Sequence, residues 1–310
     1  MPQFAFVFPG QGPQSVGMLD GFAGNPVVAE TVAEASSVIG LDIARLVTEG
    51  PKESLDLTTN TQPVMLTAAV AFYRAWIAAG GKPPSVVAGH SLGEFSALVV
   101  AGVIPFKDAV ALVRFRAQAM QEAVPVGQGG MAAILGLSDE DVIAACAEAS
   151  DGEVVEPANF NAPSQLVIAG HKSAVARACE IARAKGAKRA IVLPVSAPFH
   201  SSLLKPASDR LREYMAPLSF SPPQIPLINN VDVAVLQGTP DIKDALVRQA
   251  ARPVRWVETV RKIASMGISH VVECGPGKVL AGLSRRIEGS LTGDAIVDVA
   301  SLERIKEELK

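Results

Sequence analysis

Cysteine is scarce in this chain of 310 residues: Cys146, Cys179 and Cys274 are odd in number, far apart, and never spaced as Cys-x-x-Cys. That pattern indicates neither a disulfide framework nor a zinc site, and it fits a reducing compartment. An excess of one charge is also lacking. The formal net charge is −3, too small to suggest nucleic acid or an anionic membrane surface as a partner. Residues Met1 to Phe8 carry no basic start ahead of their short apolar run, and the run from Ala97 to Ile104 is too short to span a bilayer. A cytoplasmic protein without nucleic-acid or membrane partners is the expectation. Aromatic residues amount to only 5% against 49% apolar residues overall, so the core is built from aliphatic and small side chains. The chain is long enough for one large core and a smaller unit. Two glycine signatures are missing as well. After Gly10-x-Gly12 the third glycine of a dinucleotide fingerprint is replaced by Ser15, and no Gly-Lys-Ser/Thr follows to form a phosphate loop.

What is present is organised around Ser85-Val86-Val87-Ala88-Gly89-His90-Ser91-Leu92-Gly93-Glu94, a short apolar strand, then Gly-x-Ser-x-Gly, then a helix. That is the form of a nucleophile elbow. The two glycines allow backbone to cross where a Cβ would obstruct, and Ser91 stands at the tip. There the N–H of Leu92 and the helix dipole favour developing negative charge. A glycine-rich turn with a serine helix cap is the plainer meaning of the same residues.

Taken in order, Phe4 to Phe8 reads as a buried strand followed by the turn Pro9-Gly10-Gln11-Gly12. Pro26 to Val47 and Thr61 to Ala79 read as helices, with Gly80-Gly81 closing the second. The elbow strand comes next, so the order is βαβ and the sheet parallel, with the site at the carboxyl ends of its strands. After Val126-Gly127-Gln128-Gly129-Gly130 the pattern changes. Strands near 131–135, 154–155, 165–168 and 190–193 alternate with helices at 139–149 and 174–185 as βαββαβ, the ferredoxin-like order. The expected fold is therefore α/β: an α/β-hydrolase-like unit of residues 1–125 and 197–310, with a ferredoxin-like subdomain, 126–196, inserted. A Pro-bracketed loop from Pro194 to Ser201 follows, then a helix at 241–250 and a last strand ending at Gly275-Pro276-Gly277.

Two polar residues stand out. In the helix from Lys107 to Ala123, Arg116 falls in the middle of a face made by Ala109, Leu112, Val113, Met120 and Ala123, while Arg114 falls on the polar side. An arginine in an apolar stripe ordinarily means an ion pair with a buried carboxylate, or a stem that reaches water. A serine nucleophile also needs a base. Of four histidines, His90 adjoins Ser91 on a sharp turn, His171 opens a helix in the small unit and His270 lies in a strand run. His200, on the loop after a strand, remains.

Along nearly its whole length the chain resembles the malonyl-CoA:acyl carrier protein transacylases, free-standing enzymes of bacterial fatty acid synthesis. The resemblance rests on Phe8-Pro9-Gly10-Gln11-Gly12, Thr61-Gln62-Pro63, Gly89 to Glu94, and Arg116 followed by Met120-Gln121. It continues through Asn159-Phe160-Asn161, His200, Asn229-Asn230-Val231, Leu246-Val247-Arg248-Gln249 and Gly275-Pro276-Gly277. It implies that Ser91 attacks a malonyl thioester while His200 takes its proton and passes it to the departing thiol. It further implies an oxyanion hole from the N–H groups of Gln11 and Leu92, and a histidine oriented by the carbonyl of Gln249 rather than by a carboxylate. Arg116 would bind the free malonyl carboxylate. Phe199 and Asn161 would line the acyl pocket; malonyl-selective domains of polyketide synthases often carry Phe before the histidine, whereas many free-standing relatives carry Ser, so this chain departs from them at Phe199.

No metal and no cofactor are implied, since coenzyme A belongs to the substrate and phosphopantetheine to the acceptor. The implied partners are malonyl-CoA and an acidic acyl carrier protein, for which Lys185, Lys188 and Arg189, or Arg285 and Arg286, offer basic surface. Two other functions compete with transfer: a serine hydrolase that releases the acyl group to water, and a catalytically idle carrier-binding subunit. The oligomeric state does not follow from the sequence.

Overall fold

The computed structural model describes residues 3–195 and 197–310. Ser196, the expected end of the inserted unit, lies outside the described residues, as do Met1 and Pro2 of the segment weighed as a leader. Strand β1 (Phe4–Phe8) is buried throughout, and its period of two sends Phe4, Phe6 and Phe8 to one side and Ala5 and Val7 to the other. Apolar side chains on both faces require cover on both faces. The chain supplies it first with α1 (Pro26–Ile39), α2 (Ile43–Glu49), α3 (Lys52–Leu55) and α4 (Thr58–Ala78), which lead into β2 (Val86–Gly89). The single helix expected from Pro26 to Val47 is two. Gly40 ends α1 at φ 63, and Asp42 caps α2 by accepting from the Arg45 N–H.

After the elbow come α5 (Gly93–Val100) and α6 (Phe106–Glu122), then the second sheet: β3 (Gly129–Leu135), α7 (Asp139–Ala149), β4 (Val155–Ala162), β5 (Gln165–His171), α8 (Lys172–Ala184) and β6 (Arg189–Val192). Its strands pair antiparallel in the order β4-β5-β3-β6, which is the ferredoxin-like arrangement. The weak strand expected at 154–155 is the eight-residue β4. Its Pro157, Asn159 and Asn161 depress strand propensity, which hides it from the sequence. The chain then returns through α9 (Lys205–Met215), β7 (Leu227–Ile228), α10 (Thr239–Gln249), α11 (Trp256–Ser265), β8 (His270–Cys274), α12 (Val279–Ile287), β9 (Thr292–Ile296) and α13 (Val299–Glu308). The first sheet is parallel throughout, in the order β7-β2-β1-β8-β9. The strand ending at Cys274 is thus not the last; β9 forms the edge beyond it. The α/β class with a parallel and a separate antiparallel sheet is the one expected. Among the described residues no helix is long and apolar enough to cross a membrane.

Two contacts set the frame of the site. Pro63, inside α4, has no N–H for the Thr59 carbonyl one turn earlier. Arg114 Nη1 donates to that oxygen at 2.5 Å and to Asn60 Oδ1 at 2.7 Å, so the arginine on the polar face of α6 pins this helix to the first turn of α4. The second sheet is joined to the first unit beside α10. Phe160 N–H donates to the Val254 carbonyl at 3.0 Å and Val254 N–H to the Ala158 carbonyl at 2.9 Å.

Candidate active site

The elbow is tight because two backbones meet in it. A Cβ on Gly89 would lie 1.9 Å from the Gly93 carbonyl carbon, and one on Gly93 would lie 2.0 Å from the Phe8 carbonyl oxygen, so neither position accepts a side chain. Ser91 between them takes φ 52, a left-handed conformation that a non-glycine residue adopts at a cost and that is frequent where function requires it. Asn230 fastens both arms of the turn: its Oδ1 accepts from the Ser91 N–H at 2.7 Å and its Nδ2 donates to the Gly89 carbonyl at 2.6 Å.

His200 has the same unusual backbone, φ 63, and is buried. Its Nδ1 lies 2.9 Å from the Gln249 carbonyl, in the last turn of α10, and its Nε2 lies 2.7 Å from Ser91 Oγ. A backbone carbonyl only accepts, so the proton sits on Nδ1 and Nε2 presents its lone pair to the serine hydroxyl. Burial, with the Arg116 charge behind it, pushes the imidazole pKa down to about 3, against the opposing pull of the Gln249 carbonyl. The ring is a neutral acceptor across the neutral range.

Arg116 completes the constellation from α6 and is 1% exposed. Nη1 donates to Gln62 Oε1 at 2.7 Å, and Nη2 donates to Gln249 Oε1 at 2.8 Å and to Ser91 Oγ at 3.2 Å. Its carbon stands 5.2 Å from the centre of the Phe95 ring, and its Nε finds no acceptor among the described residues. Two neutral amides hold this cation, and among the described residues no carboxylate pairs with it. The ion pair that a buried arginine ordinarily signals is therefore absent among the described residues, and the stem does not reach water. Burial draws the guanidinium pKa down to about 10, opposed by the charge of Glu94, so it remains a cation at neutral pH.

A cavity of about 130 Å³ opens between the two sheets, lined by Gln11, His90, Ser91, Arg116, Asn159 and His200, with Met131, Leu193, Val195 and Phe199 as its apolar wall. Four wider grooves, of about 370 to 570 Å³, hold neither Ser91 nor His200; chemistry rather than size marks the site. Of the residues singled out from the sequence, Ser91, His200, Arg116, Gln11 and Phe199 share this cavity, and Gln249 lies directly behind it. The N–H groups of Gln11 and Leu92 meet no protein acceptor among the described residues, whereas that of Ser91 is taken by Asn230.

Asn161 is a correction. It does not line the cavity; its Oδ1 sits 2.8 Å from His90 Nε2, and Asn159 faces the cavity instead. The pairing of β4 shifts register between Phe160 and Ala162, which breaks the alternation that would keep the two asparagines on one face. Of the basic residues weighed for a carrier, Arg286 donates to Gln165 Oε1 and the Pro163 carbonyl, and Lys185 faces Glu148. Gln62, Glu94 and Asn230 were assigned no role from the sequence, although each is buried and bonded into the site. Glu94 is a carboxylate whose burial lifts its pKa to about 7, against hydrogen bonds from Gln249 and Asn230 and the charge of Arg116.

Comparison with known proteins matches residues 5–293 to the acyl transferase domain family. The malonyl CoA-acyl carrier protein transacylase of Salmonella typhimurium is 55% identical over 303 residues, covering 97% of this chain and 98% of that one. The structure of acyl-carrier-protein S-malonyltransferase from Burkholderia pseudomallei is similar at 66% identity and TM-score 0.97, covering 98% and 99% of the two chains. A malonyl-transacylase in complex with its type II PKS acyl-carrier protein is 51% identical with TM-score 0.97, covering 99% of each chain. Identity at this level over full length, on the same fold, shows that the chain belongs to the acyl transferase family, among the malonyl CoA-acyl carrier protein transacylases.

Proposed function

We propose that this chain transfers a malonyl group from malonyl-CoA to the phosphopantetheine thiol of an acyl carrier protein, through an ester on Ser91. The observation that carries the reading is Arg116: a buried cation, paired with no carboxylate among the described residues, one hydrogen bond from the serine hydroxyl. A charged donor set of this kind is stabilised by an anion brought in with the substrate. The malonyl acid supplies one, and an acetyl group does not.

Ser91 Oγ attacks the thioester carbonyl as its proton passes to His200 Nε2, while the Gln249 carbonyl keeps Nδ1 protonated and the ring aligned. The N–H groups of Gln11 and Leu92 receive the oxyanion of the tetrahedral intermediate. The C–S bond then breaks, and His200 returns the proton to the departing thiolate of coenzyme A. In the second half the carrier thiol gives its proton to His200 and attacks the ester, and Ser91 recovers its hydrogen as the new thioester leaves. Phe199, on the cavity wall, limits room beside the malonyl α-carbon. The scheme draws on side chains and backbone of this chain alone; in this reading residues 1–125 and 197–310 are the acyltransferase core and 126–196 its inserted ferredoxin-like unit.

Transfer and hydrolysis are told apart by the fate of the loaded protein. Isolated malonyl-protein should persist in buffer and discharge within one turnover when holo acyl carrier protein is added. Discharge at the same rate without the carrier would favour a hydrolase.

A further inference from the structure

Glu94 has no part in the chemistry above, yet it is 2% exposed and stands in the first turn of α5, directly after the elbow. An acid in a first helical turn ordinarily faces water and the helix dipole; this one is turned inward. Its Oε2 accepts from the Asn230 N–H at 3.1 Å and from Gln249 Nε2 at 2.8 Å. Gln249 Nε2 also donates to the Ser91 carbonyl at 2.9 Å. Both hydrogens of that amide nitrogen are thus spent on oxygens, so Gln249 Oε1 faces the other way and accepts from Arg116 Nη2 at 2.8 Å. We infer that Glu94 is a positioning residue for acyl selectivity: it locks the Gln249 amide so that oxygen, never nitrogen, meets the Arg116 guanidinium beside Ser91. This rests on the reading of Arg116 as the group that holds the malonyl carboxylate.

A flipped amide would set an NH₂ group against the guanidinium and push it from its place next to the nucleophile. The lock needs an acceptor at Oε2 rather than a charge. The Asn230 N–H is a fixed backbone donor, so a glutamine at position 94 presents its oxygen there and keeps both bonds. A methionine of similar length keeps neither.

The test measures kcat and KM for transfer to holo acyl carrier protein from malonyl-CoA and from acetyl-CoA, on the full chain and on Glu94→Gln, Glu94→Met, Gln249→Met and the Glu94→Met/Gln249→Met pair. Glu94→Gln should keep the malonyl-to-acetyl ratio of kcat/KM within about twofold, whereas Glu94→Met should lower it about tenfold, mainly through the malonyl KM. Gln249→Met, which leaves the backbone carbonyl on His200, should lower the ratio to a similar extent, and the pair no further, because both changes act on one amide. Equal losses for the two acyl groups in Glu94→Met, or additive losses in the pair, would overturn the inference. If Glu94→Met does not fold, Glu94→Gln decides: a ratio that falls as far as in Gln249→Met overturns it, and a retained ratio supports it. The reading of Arg116 fails separately, if Arg116→Met leaves the ratio unchanged.

Discussion

Replacing Arg116 by methionine isolates the part of the site that recognises the substrate acid. The side chain is 1% exposed and donates to Gln62, Gln249 and Ser91 Oγ, and methionine keeps most of its length without a donor. A charge-assisted hydrogen bond contributes about 1.5–3 kcal/mol, so malonyl loading of Ser91 should slow by roughly 10- to 150-fold. Acetyl loading, which makes no such contact, should change by much less. The fold should tolerate the change. Each buried amide oxygen left without its donor costs about 1–3 kcal/mol, and removing a desolvated cation works in the opposite direction. The pH profile adds an independent reading. The Arg116 charge helps hold the His200 pKa down, so in the variant that pKa rises toward its ordinary value and the acid limb of the loading rate moves to higher pH. Paired rates of malonyl-CoA and acetyl-CoA loading, read by intact-protein mass across pH, supply both observations. Equal slowing of the two acyl groups would refute the role given to Arg116, and an unmoved acid limb would refute the electrostatic link to His200.

Phe199→Ser should open the cavity wall beside the acyl chain; one methyl in a tight pocket changes discrimination by about 1–3 kcal/mol, so methylmalonyl-CoA should gain on malonyl-CoA by roughly tenfold, and an unchanged ratio in a competition assay would remove Phe199 from the wall. Stability should depend on pH through Glu273 in β8. Burial lifts its carboxyl pKa to about 7, above the ordinary 4.5, and its Oε1 lacks a partner among the described residues while Oε2 accepts from the Ala281 N–H at 2.9 Å. A raised pKa means that the folded state binds the proton more tightly, so this contribution is full in acid and is lost as pH rises through about 7, with a span of about 3 kcal/mol. Glu273→Gln should therefore shrink the fall in Tm between pH 5 and pH 8; an undiminished fall would show that Glu273 is not its source.

The parts of the site that are legible in the sequence are those whose constraint is local. Gly89 is required by backbone only four residues on, and Arg116 betrays itself by its place on a helix face. His200 emerges by elimination among four histidines. The rest depends on contacts distant in the chain. The Gln249 carbonyl meets His200 across 49 residues and Asn230 meets Ser91 across 139, and a carbonyl has no sequence signature; only resemblance to a family supplied it. Glu94 reads as a solvated acid of a first helical turn, and its inward orientation is set by Asn230 and Gln249, from two other elements. The strand β4 and the split between α1 and α2 were obscured by polar strand residues and by one left-handed glycine. The edge strand β9, Thr-Gly-Asp-Ala-Ile, carries no apolar run to reveal it.

The most direct measurement is the mass of the intact protein, and of its Ser91 peptide, after exposure to malonyl-CoA and then to holo acyl carrier protein. One malonyl group on Ser91, absent from Ser91→Ala and passed on to the carrier thiol, is the predicted result. A protein that stays unmodified, that is labelled at another residue, or whose adduct ignores the carrier would contradict it.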